Sequence, residues 1–340
     1  MDLVLLSGAH SHTAGYLKEI EESPDLRLVA AWDDMASRGR AVAERMGCEF
    51  VADVDAVLSR SGVDAAIVCA DNAGHRPLVE ACCSAGVDVF CEKPMALSLA
   101  DAAAMLSAID ASGVRAVFGY FQPFAGAALA AREYLASGKL GEVTQIRYRN
   151  AHHAAYGHWF DSEDRQWFTD PSRAGGGAFL DMGTHAIHFV RSVFGPVAAV
   201  SAAVIENKSG VYPDVDDYGV AVLEFESGVT GIVEASWVFT GGPRGLEAVG
   251  SGGRLELDGA VQVASFDGKP GEMKPVPDVA PEPTRLRRLL ALKDGSLSPE
   301  KALGDLICCR DAVAIMTACY EAARSGTRQI IDPGCGCACC

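Results

Sequence analysis

At 340 residues the chain exceeds the roughly 250–300 at which single hydrophobic cores stop growing, so two domains are expected. With 49% hydrophobic and 22% charged residues it has ample material for a core, which excludes a disordered chain. A formal net charge of -16 repels nucleic acid and anionic lipid, and no run approaches the roughly 20 apolar residues of a bilayer span.

The amino terminus, from Met1 to Gly8, lacks a basic leader and reads as a first strand, not a signal peptide, which points to a cytoplasmic protein. Strand and helix patterns then alternate to about residue 120. Strands are expected over 3–7, 26–32, 65–70, 87–91 and 116–120, and helices over 12–23, 36–46, 77–85 and 99–111. Short, wholly apolar strands separated by helices imply a parallel sheet covered on both faces, hence a doubly wound α/β domain over residues 1–120.

The pattern changes beyond that point. An Ala-rich helix over 124–136 ends at Gly138, a strand follows over 142–150, and 177–194 is helical from about Thr184. Runs over 198–205, 218–225, 230–237, 246–250 and 254–257 are joined by turns without helices, which argues for an antiparallel or mixed sheet. Residues 269–298 are rich in Pro and charge and read as a surface excursion, and 301–325 as a closing helix. Residues 121–330 are therefore expected to form a second α/β domain with a large open sheet.

Of twelve cysteines, eight lie in core-like segments and read as reduced thiols. The other four, Cys335, Cys337, Cys339 and Cys340, form a tail at 331–340, expected to be disordered; no zinc-finger spacing is present.

The turn after the first strand, Gly8-Ala9-His10-Ser11-His12-Thr13, stands where a dinucleotide fold receives pyrophosphate, on backbone N–H groups and a helix N-terminus. Its glycine pattern is degraded: Gly8 fits the tight turn, but His10 and Thr13 occupy the second and third glycine positions. Asp33, 25 residues past Gly8 and directly after the second strand, suits a ribose 2′-hydroxyl and favours NAD over NADP. Arg38 and Arg40 follow closely enough to leave NADP open.

Lys93, before Pro94 and after a strand, falls at the carboxyl edge of the parallel sheet, where an ammonium would polarise a reacting oxygen. The Lys93–Pro94 bond is a candidate for the cis form. His185 has the titration range of a general acid/base. Asp181, one helical turn earlier, would orient its imidazole or bind substrate directly. Gly175, Gly176 and Gly177 would let the chain pass close to a ligand. His188 is expected to pack beneath the site, and no metal site is expected.

Residues 65–75, ending Asp71-Asn72-Ala73-Gly74-His75, then Glu92-Lys93-Pro94, then residues 175–188 with Asp181-Met182-Gly183-Thr184-His185 occur in an order that resembles the glucose–fructose oxidoreductase and inositol dehydrogenase (Gfo/Idh/MocA) family. The likeness runs from the first strand to the last helix and includes Ser137-Gly138-Lys139-Leu140-Gly141-Glu142. It implies a Rossmann domain followed by an antiparallel-rich sheet domain, and a homodimer or homotetramer built through that sheet. It also implies hydride transfer between a nicotinamide and a hydroxyl or keto carbon of a sugar-like or cyclitol-like substrate. It further implies Asn72, His75, Glu92 and Lys93 at the cofactor and Lys93, Asp181 and His185 in catalysis. Where relatives often carry an Arg or Asn, this chain has Tyr120-Phe121-Gln122-Pro123, and His188 replaces a common Asp. The aromatic stretch His152–Phe160 with Arg165, Trp167 and Phe168 would line a sugar pocket, with Tyr156 and Trp167 as substrate contacts, or else pack over the core. Two rival readings are an NAD-dependent glycoside-cleaving enzyme working by transient oxidation and a non-catalytic cofactor-binding sensor.

Overall fold

The computed structural model describes residues 1–331; the cysteine tail lies outside the described residues. The first part runs β1 (Asp2–Leu6), α1 (Thr13–Glu21), β2 (Arg27–Trp32), α2 (Ala36–Met46), β3 (Glu49–Phe50), α3 (Val54–Leu58), β4 (Ala65–Val68), α4 (His75–Ala85), β5 (Asp88–Cys91), α5 (Leu99–Ser112) and β6 (Ala116–Phe118). Its six strands are all parallel in the order β3-β2-β1-β4-β5-β6, the doubly wound arrangement expected from the apolar strand–helix alternation. Every residue of β4 and β5 is buried, as a central parallel strand requires. The short β3 and α3 carry too little apolar pattern to be read from sequence.

The second part runs α6 (Gly126–Ala136), β7 (Val143–Ala151), α7 (Pro171–Ala174), α8 (Ala178–Phe194), β8 (Val197–Glu206), β9 (Tyr218–Phe225), β10 (Thr230–Ser236), β11 (Gly245–Gly250), β12 (Gly253–Asp258), β13 (Ala260–Ser265), β14 (Lys274–Val276), α9 (Arg285–Lys293), α10 (Pro299–Ser325) and β15 (Gln329–Ile330). Nine strands lie in the order β14-β13-β12-β11-β7-β10-β9-β8-β15; the β7–β10 pair is parallel and the others are antiparallel. Along β9 buried and half-buried residues alternate strictly, the period-2 signature of a sheet with one covered face. That face packs on α8 and α10, with Phe179, Ile187, Leu223, Val233, Ile315 and Met316 in one core.

Residues 269–298 are not the surface excursion their composition suggests. They hold β14 and α9, whose Leu286 and Leu289 are fully buried with Leu3, Leu5 and Phe90 of the parallel sheet. Arg288, also buried, is held by Asp305 and Glu282, so a charged-looking helix conceals a paired cation. Leu306, Cys309 and Val313 of α10 likewise join the parallel sheet's core. The chain thus returns to the first sheet after building the second, and packing does not divide at residue 120.

Candidate active site

The carboxyl ends of three parallel strands, β1, β4 and β5, come together with α7 and the start of α8. Because β1 and β5 both pair with β4, the turns that follow them lie side by side. α8 is anchored by Asp216, whose carboxylate accepts from the N–H groups of Gly177 (2.9 Å) and Phe179 (2.7 Å) and from the Tyr320 hydroxyl (2.9 Å). An anion on the otherwise unpaired first turn fixes where the helix starts, and so where Asp181 and His185 point. A Cβ on Gly177 would collide with the Asp216 carbonyl. The glycines therefore allow internal close packing, where the sequence suggested close approach of a ligand.

Lys93 Nζ lies 2.6 Å from Asp181 Oδ1, with both side chains largely buried. The second carboxylate oxygen accepts from Trp237 Nε1 at 3.0 Å. Burial alone raises the Asp181 carboxyl, but Lys93, His152 and the Trp237 hydrogen bond together outweigh it and hold the group well below the usual carboxylate range. Asp181 is therefore ionised and committed to Lys93 and Trp237. Among the described residues it makes no hydrogen bond to His185. His185 is 6% exposed and its Nδ1 has no hydrogen-bond partner among the described residues. Burial, then the neighbouring Lys93 charge, push its imidazole well below the ordinary 6.5, so the ring is neutral. The Lys93–Pro94 peptide is cis.

Glu92 is fully buried. One oxygen accepts from Tyr16 Oη and faces His12 Nδ1 at 3.0 Å; the other accepts from the Lys93 N–H at 3.0 Å. Burial opposes its ionisation, yet His10, His12 and Lys93 favour it, and the carboxyl sits well below its ordinary range.

At the cofactor end, α1 has no side-chain cap, and Ser11 in the turn before it is exposed. An uncapped helix N-terminus after the first strand is a fit for a pyrophosphate. His10 does not obstruct it: the ring turns inward, 6.0 Å from Trp167 and 5.7 Å from Phe168, and is 3% exposed. Asp33 is less free than a ribose ligand would be. Its carboxylate accepts from Gly8 N–H (2.8 Å) and from two nitrogens of Arg38 (2.7 and 2.9 Å). Asp34, the exposed neighbour, also meets Arg38.

Three of the residues expected at the ligand also brace the framework. Asn72 donates to the Ala174 carbonyl (2.8 Å), and the His75 Nδ1 sits 2.8 Å from the Pro94 carbonyl, holding the turn that carries Lys93. Trp167 is 2% exposed and donates to the Ala9 carbonyl (3.0 Å), tying the second part to the glycine turn. Tyr156 is 53% exposed. His188 is buried, as expected, stacked on Tyr120 at 4.0 Å, its imidazole pushed down to about 3 by burial and Arg191.

Sequence reasoning missed Trp237, Phe121 and Arg285. Phe121 sets its ring 5.5 Å from that of His185 and 6.4 Å from that of His12. The Arg285 guanidinium lies over Phe121 at 4.5 Å, arriving from α9 near the stretch where an Arg was found missing. No local pattern announces a residue delivered from 164 positions away along the chain (285 − 121).

A family model for an oxidoreductase family with an NAD-binding Rossmann fold matches residues 4–120, and a GFO/IDH/MocA C-terminal domain model matches 128–256. Myo-inositol 2-dehydrogenase of Thermotoga maritima is 30% identical over 240 residues, 69% of this chain and 68% of that protein. Inositol 2-dehydrogenase of Rhizobium meliloti is 27% identical over 262 residues, 74% and 76% of the two chains. A levoglucosan dehydrogenase solved with NADH superposes with a TM-score of 0.79 over 98% of this chain and 99% of that one; at 20% identity it supports the fold alone. With both domain models matched in order and the parallel sheet, the uncapped helix and the Lys93 turn in place, the chain belongs to the Gfo/Idh/MocA family of NAD-binding oxidoreductases.

Proposed function

We propose that this chain is an NAD-dependent dehydrogenase or reductase acting on a CH–OH or keto carbon of a sugar or cyclitol, with His185, Lys93 and Asp181 at the reacting centre. The observation that carries the reading is the buried Lys93–Asp181 pair beside a neutral His185 with an unpaired nitrogen, at the carboxyl edge of the parallel sheet. NAD, when bound, accepts or supplies the hydride. His185, neutral and short of one partner, takes the hydroxyl proton in oxidation and returns it in reduction. Lys93 donates to the reacting oxygen and favours a developing alkoxide. Asp181 holds Lys93 in place, and Trp237 holds Asp181. The inositol dehydrogenases among the relatives support the substrate class.

The test is absorbance in the NADH band with NAD or NADP and a panel of sugars, cyclitols, uronates and glycosides. NADH formation by the native chain, and its loss in Lys93→Ala and His185→Ala, is the expected result. NAD binding with no turnover of any panel member would overturn it in favour of a sensor. Net glycoside cleavage without added NAD would favour the hydrolytic alternative. The second sheet, whose outward residues on β8 include Val204 at 45% exposure, is read as the assembly face; light scattering giving a monomer would exclude that.

A further inference from the structure

His10 and His12 stand two residues apart in the turn after β1, and Glu92 ends β5. Since β1 and β5 flank β4, the three side chains meet beneath the turn, and one donor atom from each lies within 4.8 Å of the others. We propose that His10, His12 and Glu92 form a binding site for a divalent transition-metal ion of the zinc or ferrous type.

The spacing suits such an ion. Bonds of about 2.0–2.1 Å in tetrahedral geometry put neighbouring donors about 3.3 Å apart. Here His12 Nδ1 and His10 Nδ1 stand 3.0 and 3.8 Å from Glu92 Oε1. The set is two imidazoles and one carboxylate, the combination of open, three-ligand zinc sites and of non-haem iron sites; magnesium and calcium prefer oxygen donors. His10 Nε2 is buried and has no hydrogen-bond partner among the described residues, whereas Nδ1 accepts from the His12 backbone N–H at 3.2 Å.

The surroundings supply an outer layer. Tyr16 Oη and the Lys93 N–H donate to Glu92 and fix the ligating carboxylate. Lys93 Nζ is neutralised by Asp181, and the Arg285 guanidinium stacks on Tyr16 and Phe121. His12 is 31% exposed along its side chain, which gives an entry path. The remaining coordination positions would take oxygen donors, a hydroxyl, a carbonyl or water, on the side where Phe121 stands between His12 and His185; in that respect only, the inference rests on the proposed function.

Four tail thiols would compete for soft metals, so the test uses the full chain carrying Cys335→Ser, Cys337→Ser, Cys339→Ser and Cys340→Ser. It is titrated with Co²⁺ and Zn²⁺ without NAD or substrate. The expected result is one equivalent bound, with visible cobalt bands but no thiolate charge-transfer band. Tyr16→Phe should weaken binding by about 10–100-fold, the usual effect of removing a partner of a ligating carboxylate, and His12→Gln and Glu92→Gln by more. Should Glu92→Gln fail to fold, His12→Gln, at a partly exposed position, decides alone: zinc must raise Tm in the parent and not in the variant. Absence of a bound equivalent, a thiolate spectrum, or binding indifferent to His12→Gln would overturn the proposal. Hydride transfer by a chain that binds no ion overturns this inference alone; ion binding without hydride transfer leaves it standing.

Discussion

The turns after β1 and β5 occupy equivalent places, both at the carboxyl edge of parallel strands that flank β4, yet they are built in opposite ways. The turn after β5 keeps its family pattern, and every polar atom described in it is committed: Glu92 to Tyr16, His12 and Lys93, and Lys93 to Asp181. The turn after β1 has lost two glycines, and His10 in it keeps an unpaired ring nitrogen. The difference teaches that the fingerprint constrains the backbone path and not the side chain as such. His10 is tolerated because its ring leaves the loop surface and fills space against Trp167 and Phe168.

The largest expected effect breaks the committed turn. Lys93→Met leaves Asp181 ionised and buried without its counter-ion, which should cost about 3–5 kcal/mol of stability as well as activity. Urea unfolding monitored by circular dichroism gives the first quantity. A loss under about 1 kcal/mol would mean that Asp181 is solvated, contrary to its burial.

Next comes His185→Gln, which should lower kcat by about 10²–10⁴ while the fold persists. The native pH profile sharpens this. Burial and Lys93 lower the His185 pKa, so the base is neutral above that value and oxidation falls only as pH drops below 6.5. The sign is the same for stability. The unfolded imidazole takes up a proton near 6.5 and the folded one does not, so the contribution is whole above 6.5 and shrinks as pH falls beneath it. An acid limb centred above 6.5 would remove His185 from the role of base.

The loose turn is tested by His10→Gly, which restores the second glycine of the pattern and leaves Thr13 at the third. If the ring is packing material, the change should cost about 3 kcal/mol, as for other large-to-small core substitutions. The NAD dissociation constant should move little, because the ring is buried against Trp167 and Phe168. Calorimetry showing markedly tighter NAD binding would mean that His10 does obstruct the phosphate path.

The same contrast explains what the sequence made legible. The parallel sheet was readable because its strands are wholly apolar, and β9 because its alternation is strict. Lys93, Asp181 and His185 were readable because each stands at a strand end or one helical turn from another. What stayed hidden was pairing over long separation. Trp237 reaches Asp181 from 56 residues away, and α9 hides Leu286 and Leu289 in a stretch whose Pro and charge suggest a loop. Asp33 was found at its expected place, but its capture by Arg38 depends on where α2 begins, which composition does not reveal.

The smallest effect separates two aromatic residues that sequence grouped together. Trp167 and Tyr156 were both read as sugar contacts, yet Trp167 is buried and bonded to Ala9, whereas Tyr156 stands half in solvent. Removing an exposed side chain with no buried partner changes stability by no more than about 0.5 kcal/mol. Tyr156→Ala should therefore leave Tm nearly unchanged, and any effect should be confined to KM. Trp167→Ala should lower Tm clearly, since it empties a core site and frees the turn at Ala9. A KM change in Tyr156→Ala at constant kcat would put Tyr156 in the substrate pocket through uniform binding. No change in either constant would return the stretch from His152 to Phe160 to a packing role and leave substrate recognition to residues nearer Lys93.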